Sequence, residues 1–179
     1  MEQEPAQRAF EPLDKKRHSR EHFSCEVDSL QQYFRTQATQ DLKKKAAAVF
    51  VLAAGHTVFG YYTLSNYAIE PDELPPEIVR QFPSYPKLPA TLIGRLARDQ
   101  NYRGHGIGEK LLVDALQRCL GSTSTSGAIA VVVEAENQKA LNFYLEFGFI
   151  QFPDHTDKLF MLMRTIEAMF PRPLKRHNK

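Results

Sequence analysis

Apolar residues recur along this chain with two different periods, which predict alternating helices and strands. Val27, Leu30, Phe34 and Ala38 follow the spacing of one helix face, whereas the runs "AAVFVLAAG" and "HTVFGYYTLSNYAI" have the short apolar character of strands. The predicted elements, in chain order, are helix 27–45, strands 47–55 and 56–69, strand 90–99, helix 106–120, strand 128–135, helix 137–148 and strand 158–166.

Residues that interrupt regular structure set the boundaries of these elements. Gly55 and His56 predict the turn between the first two strands, and Gly121 predicts the end of the helix before it. Asn137 is a suitable N-cap for the last helix, and Gly148 is suitable for the position just after its end.

Three segments lack a regular pattern. Residues 70–90 contain six prolines, so we expect a loop with at most one short helix. Residues 1–22 are polar and charged, and they predict a weakly ordered arm or a short first strand around Phe10–Leu13. Residues 171–179 form a basic tail.

The order of the elements predicts a mixed sheet. The strand–helix–strand unit over 91–133 implies a right-handed parallel crossover, whereas the preceding hairpin implies antiparallel pairing. We therefore expect an α/β fold in which a mixed (α+β) sheet is flanked by helices. The chain, 1–179, is expected to form a single domain without internal repeats.

Composition and charge narrow the class of protein. The apolar fraction of 42% and the charged fraction of 25% are typical of a globular domain, and the net charge of +2 permits an anionic ligand without requiring one. Cys25 and Cys119 form no metal or redox motif and are expected to be reduced. The longest apolar run is too short for a membrane span, and the polar start is unlike a signal peptide. We expect a cytoplasmic protein with no membrane segment and no metal.

A glycine-rich loop, "RGHGIG", follows the strand 90–99 and opens the next helix. Helix N-termini present free N–H groups and a partial positive charge, and Arg103 adds a permanent one. The pattern predicts a phosphate or pyrophosphate site, against the alternative of a turn without ligand. Glu109 excludes both the dinucleotide fingerprint and the P-loop, and R-x-x-G-x-G on Arg103, Gly106 and Gly108 fits instead.

A second motif follows in the predicted helix 137–148. The stretch "NQKALNFYLEFGF" reads N-x-x-A-x-x-x-Y-x-x-x-G-F and places Asn137, Tyr144 and Gly148 at fixed spacing. With both motifs in this order, the chain resembles the GNAT N-acetyltransferases over roughly residues 45–165. The resemblance implies the GNAT fold and acetyl-CoA as co-substrate, with the glycine loop on its pyrophosphate, Asn137 near its arm and Tyr144 near its sulfur.

The resemblance and the expected geometry together give a set of site residues. The backbone of the last strand residues before the loop is expected to bond the cofactor arm, at the edge where two strands separate. The predicted cofactor-binding residues are Leu96, Ala97, Arg98, Arg103, Gly104, His105, Gly106, Ile107, Gly108 and Asn137. Tyr144 is the predicted proton donor to the leaving thiolate, against the alternative of a core tyrosine among Leu141, Phe143 and Phe147.

No residue stands out as a general base. An α-amino group has a pKa of roughly 7.7–8.0 and is partly neutral at pH 7, whereas a lysine amine at about 10.4 needs far more help. The acceptor is therefore more consistent with an α-amine. His105 and Glu134 are secondary candidates, although a loop role and a strand-end role respectively explain them more simply.

A closer resemblance is to the acetyltransferase toxins of type II toxin–antitoxin modules. It rests on "VFGYYTLS" (58–65), "LPATLIGRLARD" (88–99) and the F-x-C before helix 27–45. It implies acetylation of aminoacyl-tRNA, a block of translation, a ribbon-helix-helix antitoxin as partner and a homodimer. The chain departs from that pattern at Glu26, at Leu30-Gln31 and at Arg98, which leaves the acceptor open.

Basic residues are candidates for contact with the acceptor. Arg95 interrupts an apolar strand and is expected to meet a substrate or a structural carboxylate. Further candidates for tRNA phosphates are Lys43, Lys44, Lys45, Lys15, Lys16, Arg17, Arg20, Arg172, Lys175 and Arg176. The alternatives to a toxin are an acetyltransferase for a protein N-terminus or small amine, and a non-catalytic acetyl-CoA-binding module.

Overall fold

A single mixed sheet of seven strands organises the molecule. The computed structural model describes residues 7–171. The strands are β1 (Ala9–Pro12), β2 (Ala48–Ala54), β3 (Thr57–Ile69), β4 (Leu88–Arg98), β5 (Ala130–Glu134), β6 (Ile150–Gln151) and β7 (Lys158–Leu162). The helices are α1 (Asp28–Thr36), α2 (Ala38–Lys44), α3 (Pro76–Val79), α4 (Ile107–Ser122), α5 (Gln138–Glu146) and α6 (Met163–Met169), with 3₁₀ turns at Pro71–Glu73 and Gln100–Tyr102.

The strand order β1-β2-β3-β4-β5-β7-β6 confirms the predicted mixed sheet. The pair β4–β5 is parallel, joined by α4, and all the other neighbouring strands pair antiparallel. The hairpin of β2 and β3 turns at Gly55 and His56, as predicted. The parallel pair therefore lies in the middle of the sheet, where both of its faces are covered.

Opposite faces of the sheet pack against different helices. On one face, Leu111 and Leu116 of α4 are fully buried against Val131 and Val133 of β5. On the other face, α1 covers β2 and β3, and the ring of its Phe34 stacks on Tyr61 at 4.4 Å. A third cluster surrounds the proline-rich loop.

Some predicted boundaries are wrong. The predicted helix 27–45 is two helices that meet at Gln37, and helix α4 runs through Gly121 to Ser122 instead of stopping at that glycine. The short strand β6 was not predicted. The first strand spans Ala9–Pro12, one residue earlier than the predicted Phe10–Leu13.

The predicted strand 158–166 is correct only in its first half. The chain turns into α6 at Met163, where the backbone N–H of Met163 donates to the carbonyl of Ile129 at 2.7 Å. Ile166 is then fully buried against the core. A short apolar run does not distinguish a buried strand from a buried helix turn, which is why the sequence pattern failed here.

Two sequence-level expectations concern the chain termini and the membrane. The tail residues Arg172, Lys175 and Arg176 lie outside the described residues. Within residues 7–171, no helix combines the length and the apolar composition needed to cross a bilayer. Both cysteines are free and buried.

Close contact between α4 and β3 depends on Gly60. A Cβ atom built at Gly60 would lie 2.6 Å from Leu111 Cδ1 and 3.0 Å from the carbonyl oxygen of Ala97. The missing side chain therefore lets the first turns of α4 approach the sheet.

We predict opposite effects on stability for alanine at two glycines. Gly60→Ala should lower the free energy of unfolding by about 1–3 kcal/mol, because the added methyl group overpacks the α4–β3 contact. Gly121→Ala should be neutral or raise it by up to about 1 kcal/mol, since it lies in a helix with no atom within 4 Å of an added Cβ. Chemical denaturation measures both, and equal effects would contradict the assigned packing.

Candidate active site

The parallel strands β4 and β5 separate at one end and open a cleft between them. Their pairing runs from Ala90–Ala130 to Ile93–Val133, after which β4 continues to Arg98 paired with β3. The cavity in this opening has a volume of about 500 Å³. Beyond Ile93, the edge of β4 that had been paired with β5 has no strand beside it. Its backbone N–H and C=O groups are therefore available to a ligand.

A β-bulge lies at the point of separation. The register pairs Leu64 with Ile93 and Thr63 with Arg95, so Gly94 has no partner in β3. A bulge bends the strand that carries it, and this bend coincides with the end of the β4–β5 ladder. Sequence reasoning did not single out Gly94, although a glycine within a strand pattern is the usual sign of a bulge.

Most of the residues predicted to bind the cofactor share this cleft. Those that line it are Leu96, Ala97, Arg98, Gly104, Gly106, Ile107, Gly108 and Asn137. Tyr144 and Arg95 also line it, as does Glu134. Arg103 and His105 belong to the same loop but do not line the cavity. Residues from β4, the loop, β5 and α5 are thus brought to one place.

The glycine loop takes a conformation that favours glycine. Gly104 and Gly106 have φ angles of +79° and +65°, in the left-handed region, and α4 begins directly afterwards at Ile107. His105 Nδ1 lies 3.1 Å from the carbonyl oxygens of Tyr102 and Arg103, so its N–H braces the loop. This contact explains His105 as a loop residue and makes it a poor candidate for a base.

Tyr144 reaches the cleft from a buried position on α5. Its side chain is 5% exposed, and its ring packs edge-on against Phe143 and Phe149. Burial raises the pKa of the Tyr144 phenol well above its usual value, and the charge of Glu136 raises it further. The phenol therefore keeps its proton at neutral pH. The Tyr144 hydroxyl makes no hydrogen bond to another described residue, and among the described residues no polar side-chain atom without a partner is fully buried. The hydroxyl is therefore accessible from the cleft.

Asn137 is confirmed as the N-cap of α5. Its Oδ1 accepts a hydrogen bond from the backbone N–H of Ala140 at 2.9 Å. Gly148 follows the helix end with a φ angle of +100°, as predicted. Capping uses the side-chain oxygen of Asn137 and leaves the N–H groups of its side-chain amide for a ligand in the cleft.

Comparison with known proteins identifies the family. The model of the acetyltransferase (GNAT) family matches residues 9–149, which include the cleft, the loop and α5. The chain belongs to the GNAT acetyltransferases. It is an acetyl-CoA-dependent N-acetyltransferase.

Two relatives that match most of the chain are named as toxins. The chain is 32% identical over 173 residues to a probable toxin TacT of Sinorhizobium fredii, covering 92% of this chain and 96% of that protein. It is 31% identical over 147 residues to a tRNA-acetylating toxin of Mycobacterium tuberculosis, covering 82% and 87%. Both similarities extend over more than four fifths of each chain.

Solved structures agree with these relatives. AtaT in complex with acetyl-methionyl-tRNAfMet has a TM-score of 0.85 and 27% identity, with 92% of this chain and all of that chain covered. An AtaT variant bound to acetyl-CoA and to the C-terminus of the antitoxin AtaR has a TM-score of 0.78 and 25% identity, with 92% and 98% covered. The mixed sheet of this acetyltransferase is therefore the GNAT fold.

Arg95 of this acetyltransferase contacts an aromatic ring instead of a carboxylate. Its guanidinium lies 3.7 Å from the centroid of Tyr33, whose hydroxyl donates to Asp41 at 2.9 Å. Among the described residues, no carboxylate oxygen lies within 4.0 Å of Arg95. Arg95 and Glu136 line both the cleft and a second cavity of about 250 Å³ beside α1.

Sequence reasoning missed three residues of this site as functional candidates. Tyr33 and Glu136 line the second cavity, and Glu26 stands at the rim of the cleft with Arg98, Arg103 and Lys139 around it. Glu136 could have been noticed because it directly precedes the Asn137 motif. Glu26 was noticed only as a departure from the toxin pattern.

The basic residues of α2 lie elsewhere. Lys43, Lys44 and Lys45 are exposed at the end of that helix and do not line the cleft, so a contact with a large substrate stays a prediction. In the part of the chain that the structure describes, no group of three His, Cys, Asp or Glu side chains could hold a metal ion.

We predict that Tyr144→Phe lowers kcat by about 100-fold or more, because the leaving thiolate loses its positioned proton donor. The Kd for acetyl-CoA, measured by calorimetry, should stay within about twofold because the ring packing is retained. The exposed Tyr85 serves as a matched control, and Tyr85→Phe should leave both quantities unchanged. Normal turnover of Tyr144→Phe would remove Tyr144 from the mechanism.

Proposed function

We propose that this acetyltransferase transfers the acetyl group of acetyl-CoA to the α-amino group of an aminoacyl-tRNA and thereby blocks translation. The observation that carries the proposal is the similarity, over most of both chains, to a toxin named for acetylating tRNA. The cleft accounts for the acyl-transfer chemistry, and the relatives indicate the acceptor.

The residues around the cleft fit acetyl-CoA as co-substrate. The N-terminus of α4 and its glycine loop suit the pyrophosphate, since free N–H groups and the helix dipole favour an anion there. The unpaired edge of β4 at Leu96–Arg98 suits the amide-containing arm, because its backbone groups have no strand partner on that side. Acetyl-CoA supplies the thioester from which the acetyl group is transferred.

Tyr144 supplies the proton that the leaving group needs. A thiol has a pKa of about 8.5 and its thiolate must be protonated or stabilised on departure. The raised pKa of Tyr144 keeps the phenol a donor throughout the neutral range. Its hydroxyl hydrogen moves to the sulfur as the new amide bond forms and the thioester bond breaks, and the phenolate then regains a proton from solvent, which takes up the proton released by the acceptor amine.

The acceptor amine needs little help to become nucleophilic. An α-amino group with a pKa of roughly 7.7–8.0 is neutral often enough at pH 7 to react without a dedicated base. Glu134 is exposed in the cleft and is available to take up the proton directly or through water. His105 is held by the loop carbonyls and has no such role.

The second cavity is the proposed site for the end of the tRNA. It shares Leu30, Arg95 and Glu136 with the cleft and is otherwise lined by residues of α1 and its C-cap, among them the polar Ser29 and Gln32. Arg95 offers a fixed positive charge beside an aromatic ring, which suits a phosphate or a stacked base. Lys43, Lys44 and Lys45 extend the positive surface for the rest of the tRNA.

Regulation follows from the same assignment. We propose a ribbon-helix-helix antitoxin as partner, a homodimer as the assembly and the cytoplasm as the site of action. The antitoxin partner is supported by AtaT, a structural neighbour, which binds the C-terminus of its antitoxin AtaR. Co-expression with a short neighbouring gene product, followed by co-purification, tests the partner.

We predict that the purified protein stops in vitro translation only when acetyl-CoA is present, since the block comes from acetylated aminoacyl-tRNA. Mass analysis of the aminoacyl-tRNA pool should show an added acetyl group on the amino acid. Tyr144→Phe provides the inactive control. Acetylation of protein N-termini or small amines, with no effect on aminoacyl-tRNA, would instead favour the alternative acetyltransferase.

We predict that Arg95→Met raises the KM for aminoacyl-tRNA about tenfold, because the acceptor loses a charged and stacked contact. The Kd for acetyl-CoA should change less than about twofold. Arg95→Lys keeps the charge but loses the planar contact with Tyr33, so an intermediate KM is expected. An unchanged KM in both variants would place the acceptor elsewhere.

A further inference from the structure

A single carboxylate joins three cations at the rim of the cleft. Glu26 Oε1 lies 3.3 Å from Arg98 Nη2 and 3.8 Å from Arg103 Nη1. Glu26 Oε2 accepts a hydrogen bond from Lys139 Nζ at 2.6 Å. We call this group, Glu26 with Arg98, Arg103 and Lys139, the rim cluster.

The rim cluster spans the opening of the cleft. Its cations come from the end of β4, from the glycine loop and from the first turn of α5, which are the elements proposed to hold acetyl-CoA. Glu26 comes from the segment just before α1, and α1 and α5 pack on opposite faces of the sheet. The Glu26–Lys139 contact therefore links the two faces across the gap between β4 and β5.

The three surrounding cations favour the ionised form of the Glu26 carboxyl. The hydrogen bond from Lys139 holds the pKa of the Glu26 carboxyl below its usual range, and the charges of Lys139, Arg98 and Arg103 act in the same direction. The side chain of Glu26 is nevertheless 42% exposed. Solvent-exposed ion pairs of this kind are weak, so a stronger anion displaces the carboxylate easily.

We propose that Glu26 is an internal anion that competes with the phosphates of acetyl-CoA for these cations and so sets the affinity for the cofactor. The inference rests on the cofactor site of the proposed function. A carboxylate and a phosphate both carry negative charge, so they repel each other when they share the same cations. Binding of a phosphate at the rim thus releases Glu26, and with it the link between the two faces of the cleft.

The test is the Kd of acetyl-CoA for Glu26→Gln, measured by calorimetry on the full chain. The amide keeps the shape of the side chain but does not neutralise the cations, so we expect binding about three- to tenfold tighter. Glu77→Gln is the matched control. Glu77 is exposed on α3, does not line the cleft, and among the described residues has no ion pair within 4.0 Å. It should change the Kd less than twofold.

A second probe separates competition from a general change in the site. S-acetylpantetheine carries the same thioester arm without the phosphates, so Glu26→Gln should leave its binding unchanged. The salt dependence of acetyl-CoA binding should also be steeper in Glu26→Gln than in the parent protein, because solution anions replace the missing carboxylate on the cations.

Several results would overturn the proposal. These are an unchanged or weaker affinity of Glu26→Gln for acetyl-CoA, equal tightening by Glu77→Gln, and equal tightening for S-acetylpantetheine. A lower kcat/KM for the acceptor with an unaltered acetyl-CoA Kd would assign Glu26 to the acceptor side instead. Failure of the unsubstituted protein to bind acetyl-CoA would reject the cofactor site itself, and that result is distinguishable from the others.

Discussion

The separation of β4 from β5 is the constraint on which the site depends. The parallel ladder ends at Ile93 and Val133, and the bulge at Gly94 bends β4 at that point. Continued pairing would have used the backbone groups of Leu96–Arg98 and filled the space between the strands. Because pairing stops, a cleft opens in the middle of an otherwise well-packed sheet, and side chains from both of its faces reach the same cavity.

Charge is distributed unevenly along this cleft, and the distribution matches the chemistry. The outer end holds the glycine loop and a cluster of cations around Glu26, suited to a polyanion. The inner end holds Tyr144, kept protonated by burial. The α1 side holds Arg95 on Tyr33, beside the second cavity. A thioester donor and an amine acceptor can thus approach from different sides and meet near one phenol.

Much of this could be predicted from the sequence, for identifiable reasons. The strands and helices followed their apolar periods, and Asn137 and Gly148 marked the ends of α5 because capping is a local property. The failures were non-local. Met163 begins a helix because Ile129 accepts its N–H and the core has room for Ile166, and nothing in "KLFMLMRTI" itself records that. Gln37 divides the predicted helix 27–45 into two helices. No glycine or proline marks that position, so the sequence pattern did not show the break.

The sequence alone determined the family and predicted the kind of ligand, since the loop "RGHGIG" and the spacing from Asn137 to Tyr144 are short-range patterns with a direct chemical meaning. Only the tertiary structure decided which residues meet at the cleft. Glu26 and Lys139 are 113 residues apart, and Arg95 faces Tyr33 instead of a carboxylate. Such contacts depend on how separate elements cross the sheet, and that crossing is set by packing over the whole domain.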